Sequence, residues 1–276
     1  MTTPAAAADA GANLAHAATY LFVPGNRPER FEKASSAGAG AVILDLEDAV
    51  AAEHKDAARS EVAAWVSAGH RCVVRINATG TLWHDNDLEV LAPLDCSVMV
   101  PKAEDPAELH RIAIALGGDR IMALVETARG VLNAARIATA AGVARVAFGS
   151  FDLAAELSVE PTDREALLAV RTALVLASAA ARLPGPVDGV TAGVHDAAAI
   201  SADARYARRL GFAGKLCIHP AQIAPTAEAL RPTEEQRAWA QRVLEATAQT
   251  DLAMVDGAMV DRPVIERARS ILQQFA

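Results

Sequence analysis

Two carboxylates, Glu126 and Asp152, stand just beyond the apolar runs Ile121–Val125 and Val143–Phe148. If both runs are parallel strands, both acids face the same end of the sheet. Two carboxylates completed by water or substrate oxygens make an ordinary Mg²⁺ site. Neither has His or Cys nearby in sequence, which disfavours zinc. The plainer reading is that each caps a helix, and for Asp152 a helix-length segment follows. Arg75 closes another run, in Val73-Val74-Arg75-Ile76-Asn77. A guanidinium there can hold a carboxylate through two parallel hydrogen bonds. It can also pair internally with Glu47 or Asp48, and such a pair could orient it. In Leu44-Asp45-Leu46-Glu47-Asp48, strand alternation puts Asp45 and Glu47 on one side. Glu47 is read as support for the site, accepting from metal-bound water or holding Arg75. Lys102, after Val100-Pro101, reads as a counter-ion and lacks the apolar flanks of a Schiff-base lysine. Arg27 and Lys33 flank the first turn of a helix whose N-terminus could help them hold a diphosphate; a solvated basic edge is the competing reading. His219 is placed outside the immediate site, as a hydrogen-bonded structural residue.

The elements that must position these groups recur with one plan. Apolar runs at Tyr20–Val23, Ala41–Leu44, Cys72–Val74, Ser97–Val100, Ile121–Val125, Val143–Phe148, Val187–Val190 and Lys215–Ile218 each end at a polar or turn residue, and a helix-length segment follows each. Eight strand–helix units predict a (β/α)8 TIM barrel of the α/β class, whose active site is built where the strands end. A chain of 276 residues suits one such barrel of about 250 residues with short extensions. The runs are continuously apolar rather than alternating, as in a parallel sheet buried on both faces.

Three regions are expected. Residues 1–18 form an Ala-rich mobile tail without the basic start of a signal peptide. Residues 19–250 form the barrel, with Gln236–Ala248 as its last helix. Residues 251–276 form an extension, with a turn at Gly257, Asp261 and Pro263 and a helix over Val264–Phe275. A helix beyond a closed barrel must pack outside it or on a neighbouring subunit.

The net charge of −8 and an aromatic content of only 4% argue against nucleic acid or an anionic membrane as partner. No apolar run approaches the ~18–20 residues of a membrane span. The cysteines Cys72, Cys96 and Cys217 show no metal or redox spacing and read as buried thiols, which makes the cytoplasm the default location.

Several of these segments also carry a resemblance. Residues 21–34 (LFVPGNRPERFEKA), 43–50 (ILDLEDAV), 74–77 (VRIN), 100–102 (VPK), 125–128 (VETA) and 218–223 (IHPAQI) are similar to the citrate lyase β-subunit-like family. That family belongs to the Mg²⁺-dependent acyl-CoA lyases and aldolases that include malyl-CoA lyase. The likeness runs from about Tyr20 to Gln273. It implies a (β/α)8 barrel, usually trimeric, with Mg²⁺ (or Mn²⁺) on Glu126 and Asp152. It implies that Arg75 binds the carboxylate of a small 2-oxo or 2-hydroxy acid, and that Phe22, Arg27 and Lys33 hold the CoA of a thioester substrate. Asp261 matches an acid on a C-terminal segment that reaches a neighbour's site and transfers a proton at the acyl-CoA carbon. The implied reaction is cleavage or formation of a 3-hydroxyacyl-CoA of the malyl, citramalyl or citryl type. Competing readings are a citrate lyase β subunit acting on an acyl-carrier-protein thioester, a CoA-independent pyruvate-type aldolase, and a non-catalytic CoA-binding barrel. One departure from the family pattern falls near the mouth: Phe151 stands where a second acid is common.

Overall fold

The computed structural model describes residues 17–248 and 253–273. Of the tail expected over residues 1–18, all but Ala17 and Ala18 lies outside the described residues, and Ala17 is buried. Eight strands close a parallel barrel in sequence order: β1 Thr19–Pro24, β2 Ala41–Asp45, β3 Val73–Arg75, β4 Ser97–Val100, β5 Ile121–Val125, β6 Val143–Phe148, β7 Val187–Asp188 and β8 Gly214–Cys217. β1 closes the ring by pairing with β8.

Alternation sorts each strand into two environments. Tyr20, Ile43, Val73, Met99, Met122, Leu124, Ala147, Val187 and Leu216 fill the barrel interior. Their neighbours Leu21, Leu44, Val74, Val98, Ala123, Val125 and Cys217 pack outward under the helices. Both faces are dry, so most positions on both are apolar, and the buried charges within the strands, Arg145, Asp188 and Lys215, are held by ion pairs or hydrogen bonds. The three cysteines are free and buried.

The barrel floor is closed by a charged residue. Arg145, 1% exposed, donates from Nη1 to the Ala17 carbonyl and the Tyr20 hydroxyl, and from Nε to the Gly185 carbonyl. Its charge is thereby fully engaged by oxygens.

The surrounding helices are α1 Phe31–Ser35, α2 Lys55–Ser67, α3 His84–Leu91, α4 Pro106–Leu116, α5 Ala128–Leu132, α6 Ala134–Ala138, α7 Ser150–Leu157, α8 Leu168–Ala180, α9 Ala197–Leu210 and α10 Ile223–Leu230. Polar residues start several of them. Asp105 caps α4 with Pro106 in its first turn, Thr127 caps α5, and Asp196 accepts from two amides of α9. The segment after β5 is broken into α5 and α6 at Asn133, whose side chain donates to the Glu104 carbonyl. The seventh strand is shorter than expected. Past Asp188, the Gly189 carbonyl accepts from Lys215 Nζ, and a Cβ on Gly189 would lie 2.2 Å from Ser150 Oγ.

The chain divides into two compact units, residues 1–229 and 230–276. The helix that follows β8 is α10, whereas the helix expected to be the eighth, α11 Glu234–Thr247, lies in the second unit. The structural boundary therefore falls before residue 250. The second unit pairs α11 with α12 Arg262–Gln273 and an antiparallel hairpin, β9 Ala253–Val255 and β10 Ala258–Val260. Ala240, Val243, Val255, Val260, Ala268 and Ile271 form its core. Asp256 and Gly257 turn the hairpin with φ of 51° and 80°, a pair of left-handed residues that matches the twist of the flanking strands. No helix among the described residues is long and apolar enough to cross a membrane.

Candidate active site at the barrel mouth

Inward-facing positions at the strand ends converge. Asp45 and Arg75 are register partners at the last positions of β2 and β3. Asp45 takes both ends of the guanidinium: Nε donates to Oδ1 at 2.7 Å and Nη2 to Oδ2 at 2.6 Å. One two-pronged edge of the guanidinium is thus engaged inside the protein, because neighbouring strand ends bring these two side chains face to face. Asp45 also accepts from the amides of Glu47 and Ala49, which fixes the β2 loop beneath the Arg. Arg75 Nη1 lies 3.0 Å from Glu47 Oε2 and 3.5 Å from the more exposed Asp48. The guanidinium carbon sits 5.0 Å from the Phe22 ring centre.

Glu47 is buried and held on two sides, by Arg75 and by Lys102 Nζ at 2.6 Å. Burial pushes its carboxyl upward, while the charge of Arg75 and the bond from Lys102 oppose the shift. Lys55 is buried against the same loop and donates to the carbonyls of Leu46 and Glu47 at 2.7 and 2.6 Å.

Glu126 is 3% exposed at the end of β5, and its Oε1 accepts from the Lys102 amide at 2.8 Å. Burial pushes it up to about 8, the negative charge of Glu47 adds to the rise, and the Lys102 N–H opposes it. A Cβ built on Gly149 would lie 2.4 Å from Glu126 Cβ and 2.5 Å from Oε2, so only glycine leaves room for the carboxylate there. Asp152 sits exposed in the first turn of α7, but Gly149 occupies the N-cap position and no side-chain cap bond forms. Glu126 and Asp152 line one cavity of about 110 Å³ with Arg75, Phe22, Phe148 and Leu216. An adjoining hollow of about 430 Å³ shares Phe22, Asp48, Arg75 and Val190 and reaches Pro24 and Ile218.

Among the described residues no three His, Cys, Asp or Glu side chains converge as a full cage for a metal. Two carboxylates over an open cavity still suit a hard cation that keeps water or ligand oxygens in its other positions. The acids crowded at this mouth would be relieved by a cation.

The other expected site residues are less gathered. Phe22 faces the mouth. Arg27 is half exposed with Nε donating to Glu29 at 2.9 Å, and Lys33 is exposed at the end of α1. Asp261, in the second unit, accepts from the Val264 amide at the start of α12, which is a helix cap. His219 caps a short 3-10 turn, where Nδ1 accepts from the Ala221 amide. Asp45, Gly149 and the backbone of Lys102 belong to the site and were not foreseen in those roles. The register of adjacent strand ends was the signal for Asp45. For Gly149, the signal was a glycine directly after a strand whose neighbour ends in an acid.

The family model described as HpcH/HpaI aldolase/citrate lyase matches residues 18–220. A citrate lyase subunit beta-like protein of Mycobacterium tuberculosis is 41% identical over 264 residues, covering 92% of this chain and 94% of its own. A (3S)-malyl-CoA thioesterase of Cereibacter sphaeroides is 35% identical over 267 residues, covering 92% and 93%. The crystal structure of CitE from Mycobacterium tuberculosis in complex with magnesium, acetoacetate and coenzyme A superposes with a TM-score of 0.82 at 39% identity, over 94% of this chain and 98% of that one.

Proposed function

We propose that this chain, which belongs to the HpcH/HpaI aldolase/citrate lyase family, is a Mg²⁺-dependent carbon–carbon lyase of the malyl-, citramalyl- or citryl-CoA type. It would split a 3-hydroxyacyl-CoA into an acyl-CoA and a 2-oxo acid, or join them. The observation that carries this reading is the sharing of one small cavity by Glu126, Asp152 and Arg75. The CitE structure that resembles it holds magnesium, a small oxo acid and coenzyme A together.

Glu126 and Asp152 would hold the Mg²⁺, which when bound supplies Lewis acidity toward the substrate's hydroxyl and carboxylate oxygens. Arg75 offers the substrate carboxylate its Nη1 side, where Asp48 is the weakest of its partners at 3.5 Å and half open to solvent. A substrate carboxylate arriving there exchanges with Asp48 and leaves the Asp45 clamp intact. Phe22, Phe148, Leu216 and Val190 wall the reacting carbons and limit water. The hydroxyl loses its proton as the carbonyl forms and the carbon–carbon bond breaks. The departing acyl-CoA carbon gains a proton, so the reaction needs no oxidant or reductant. Asp261 of a neighbouring copy is the proposed proton source, in a homo-oligomer of the trimeric kind. Phe22, Arg27 and Lys33 are the proposed contacts to CoA, with Arg27 before the first helix and Lys33 on it supplying the positive charge for phosphate.

Incubating the protein and Mg²⁺ with malyl-, citramalyl- and citryl-CoA, and assaying 2-oxo acid and acyl-CoA, tests the reading. Turnover should vanish with EDTA and fall at least a hundredfold in Glu126→Gln and Asp152→Asn, with the fold retained. Activity that survives EDTA would reject the metal pair. Release of a hydroxy acid and free CoA without any 2-oxo acid would assign thioester hydrolysis and reject the lyase.

A further inference from the structure

Lys102 joins both halves of the mouth through two different atoms. Its amide donates to Glu126 Oε1 at 2.8 Å, and its ammonium donates to Glu47 Oε1 at 2.6 Å. The other oxygen of Glu47 lies 3.0 Å from Arg75 Nη1. Lys102 also holds a left-handed backbone, φ 48°, directly after β4 and Pro101. A residue with a Cβ adopts that conformation at a cost, and such costs persist where the surroundings fix the geometry. In this conformation the amide donates to Glu126. The side chain is 43% exposed, so its reach to the buried Glu47 is not forced by packing.

We propose that Lys102 is a positioning residue that sets the metal-side carboxylate and the Arg75 cluster relative to each other. Its backbone orients Glu126, and its ammonium orients Arg75 through Glu47. This rests on the lyase reading, since it takes Glu126 as a metal carboxylate and Arg75 as the acid-binding group. The two contacts are separable by mutation. Lys102→Gly keeps the left-handed amide at no steric cost and deletes only the ammonium. Lys102→Val makes a left-handed backbone far costlier, so the amide must swing away as well.

The test measures binding rather than turnover. Mn²⁺ affinity is followed by electron paramagnetic resonance, and pyruvate affinity for the Mn²⁺-loaded protein by calorimetry. Lys102→Gly should keep Mn²⁺ affinity within about threefold and weaken pyruvate at least tenfold. Lys102→Arg should restore pyruvate to within about threefold, and Lys102→Val should lose at least tenfold on both ligands. A double-mutant cycle guards against a merely unstable variant. In a Glu47→Gln background, Lys102→Met should cost pyruvate binding no more than twofold further, because its route to Arg75 is already cut. Wild-type pyruvate affinity in Lys102→Gly, or full additivity in the cycle, overturns the proposal while leaving the lyase reading in place. Wild-type protein that fails to bind Mn²⁺, or binds it as well after Glu126→Gln, brings down both.

Discussion

Arg75 carries a charge that the protein has largely neutralised before any ligand arrives. Three acids surround it, and only Asp45 meets it with paired bonds of 2.7 and 2.6 Å. A lysine keeps the charge and loses the fork, so Arg75→Lys removes one of the two charge-assisted bonds to buried Asp45. Charge-assisted bonds of this kind are worth about 1.5–3 kcal/mol each. Arg75→Lys is therefore expected to lower the melting temperature and, at the same time, to reduce kcat/KM for a carboxylate-bearing thioester by one to two orders of magnitude. Unchanged kcat/KM with a lowered melting temperature would show the residue to be purely structural. At this scale the sequence was legible where a charge closes or closely follows an apolar run, as Arg75 and Glu126 do directly and Glu47 and Asp152 do within a few residues. It was less legible where the backbone acts, because the left-handed turn at Lys102 follows from the loop and not from the residue type. An internal pair with Glu47 or Asp48 was anticipated for Arg75, but its two-bond partner is Asp45, since residue spacing along one strand says nothing of which acid its neighbour brings alongside.

At the scale of elements, the site depends on how closely the β6–α7 loop presses on the end of β5. Gly149 lies at that contact, and its φ of −92° is available to any residue, so the glycine serves space and not conformation. Gly149→Ala would put a methyl carbon 2.4 Å from Glu126 Cβ, and neither backbone can yield cheaply. Overpacking of this kind costs about 1–3 kcal/mol. Glu126 must shift to accept it. The expected result is a tenfold or greater loss of Mn²⁺ affinity with a folded circular dichroism spectrum; unaltered affinity would mean that the carboxylate does not sit at the ion. The strands themselves were readable to within one or two residues at each end, since burial on both faces demands largely apolar runs. Helix ends were readable where a cap or a proline spells them, as at Asp105-Pro106. The β9–β10 hairpin was not anticipated, although Asp256-Gly257 between short apolar triplets is a strong hairpin signal. Reading that stretch as an open turn hid a unit with its own core, and placed its first helix in the barrel.

For the whole molecule, the open question of assembly has a direct test. If Asp261 serves a neighbouring copy, inactive Asp261→Asn and inactive Glu126→Gln chains should recover activity when mixed under conditions that exchange subunits. Some sites in a mixed oligomer then hold both intact residues. A tagged pull-down establishes that mixing occurred, and mixed oligomers without recovered activity would leave Asp261 acting within its own chain or not at all.

The floor of the barrel has a consequence for traffic. With Arg145 bolted to Ala17, Tyr20 and Gly185, nothing can pass through the axis, and everything that arrives at Glu126 must depart by the same doorway. Under the lyase reading, the small acid lies at Arg75 and the bulky thioester enters over it. The acid is then first in and last out, and its departure waits on the larger product. Product-inhibition patterns should accordingly be those of an ordered queue, with the 2-oxo acid alone competing against the thioester substrate for the empty protein; random-order patterns would point to a second way out.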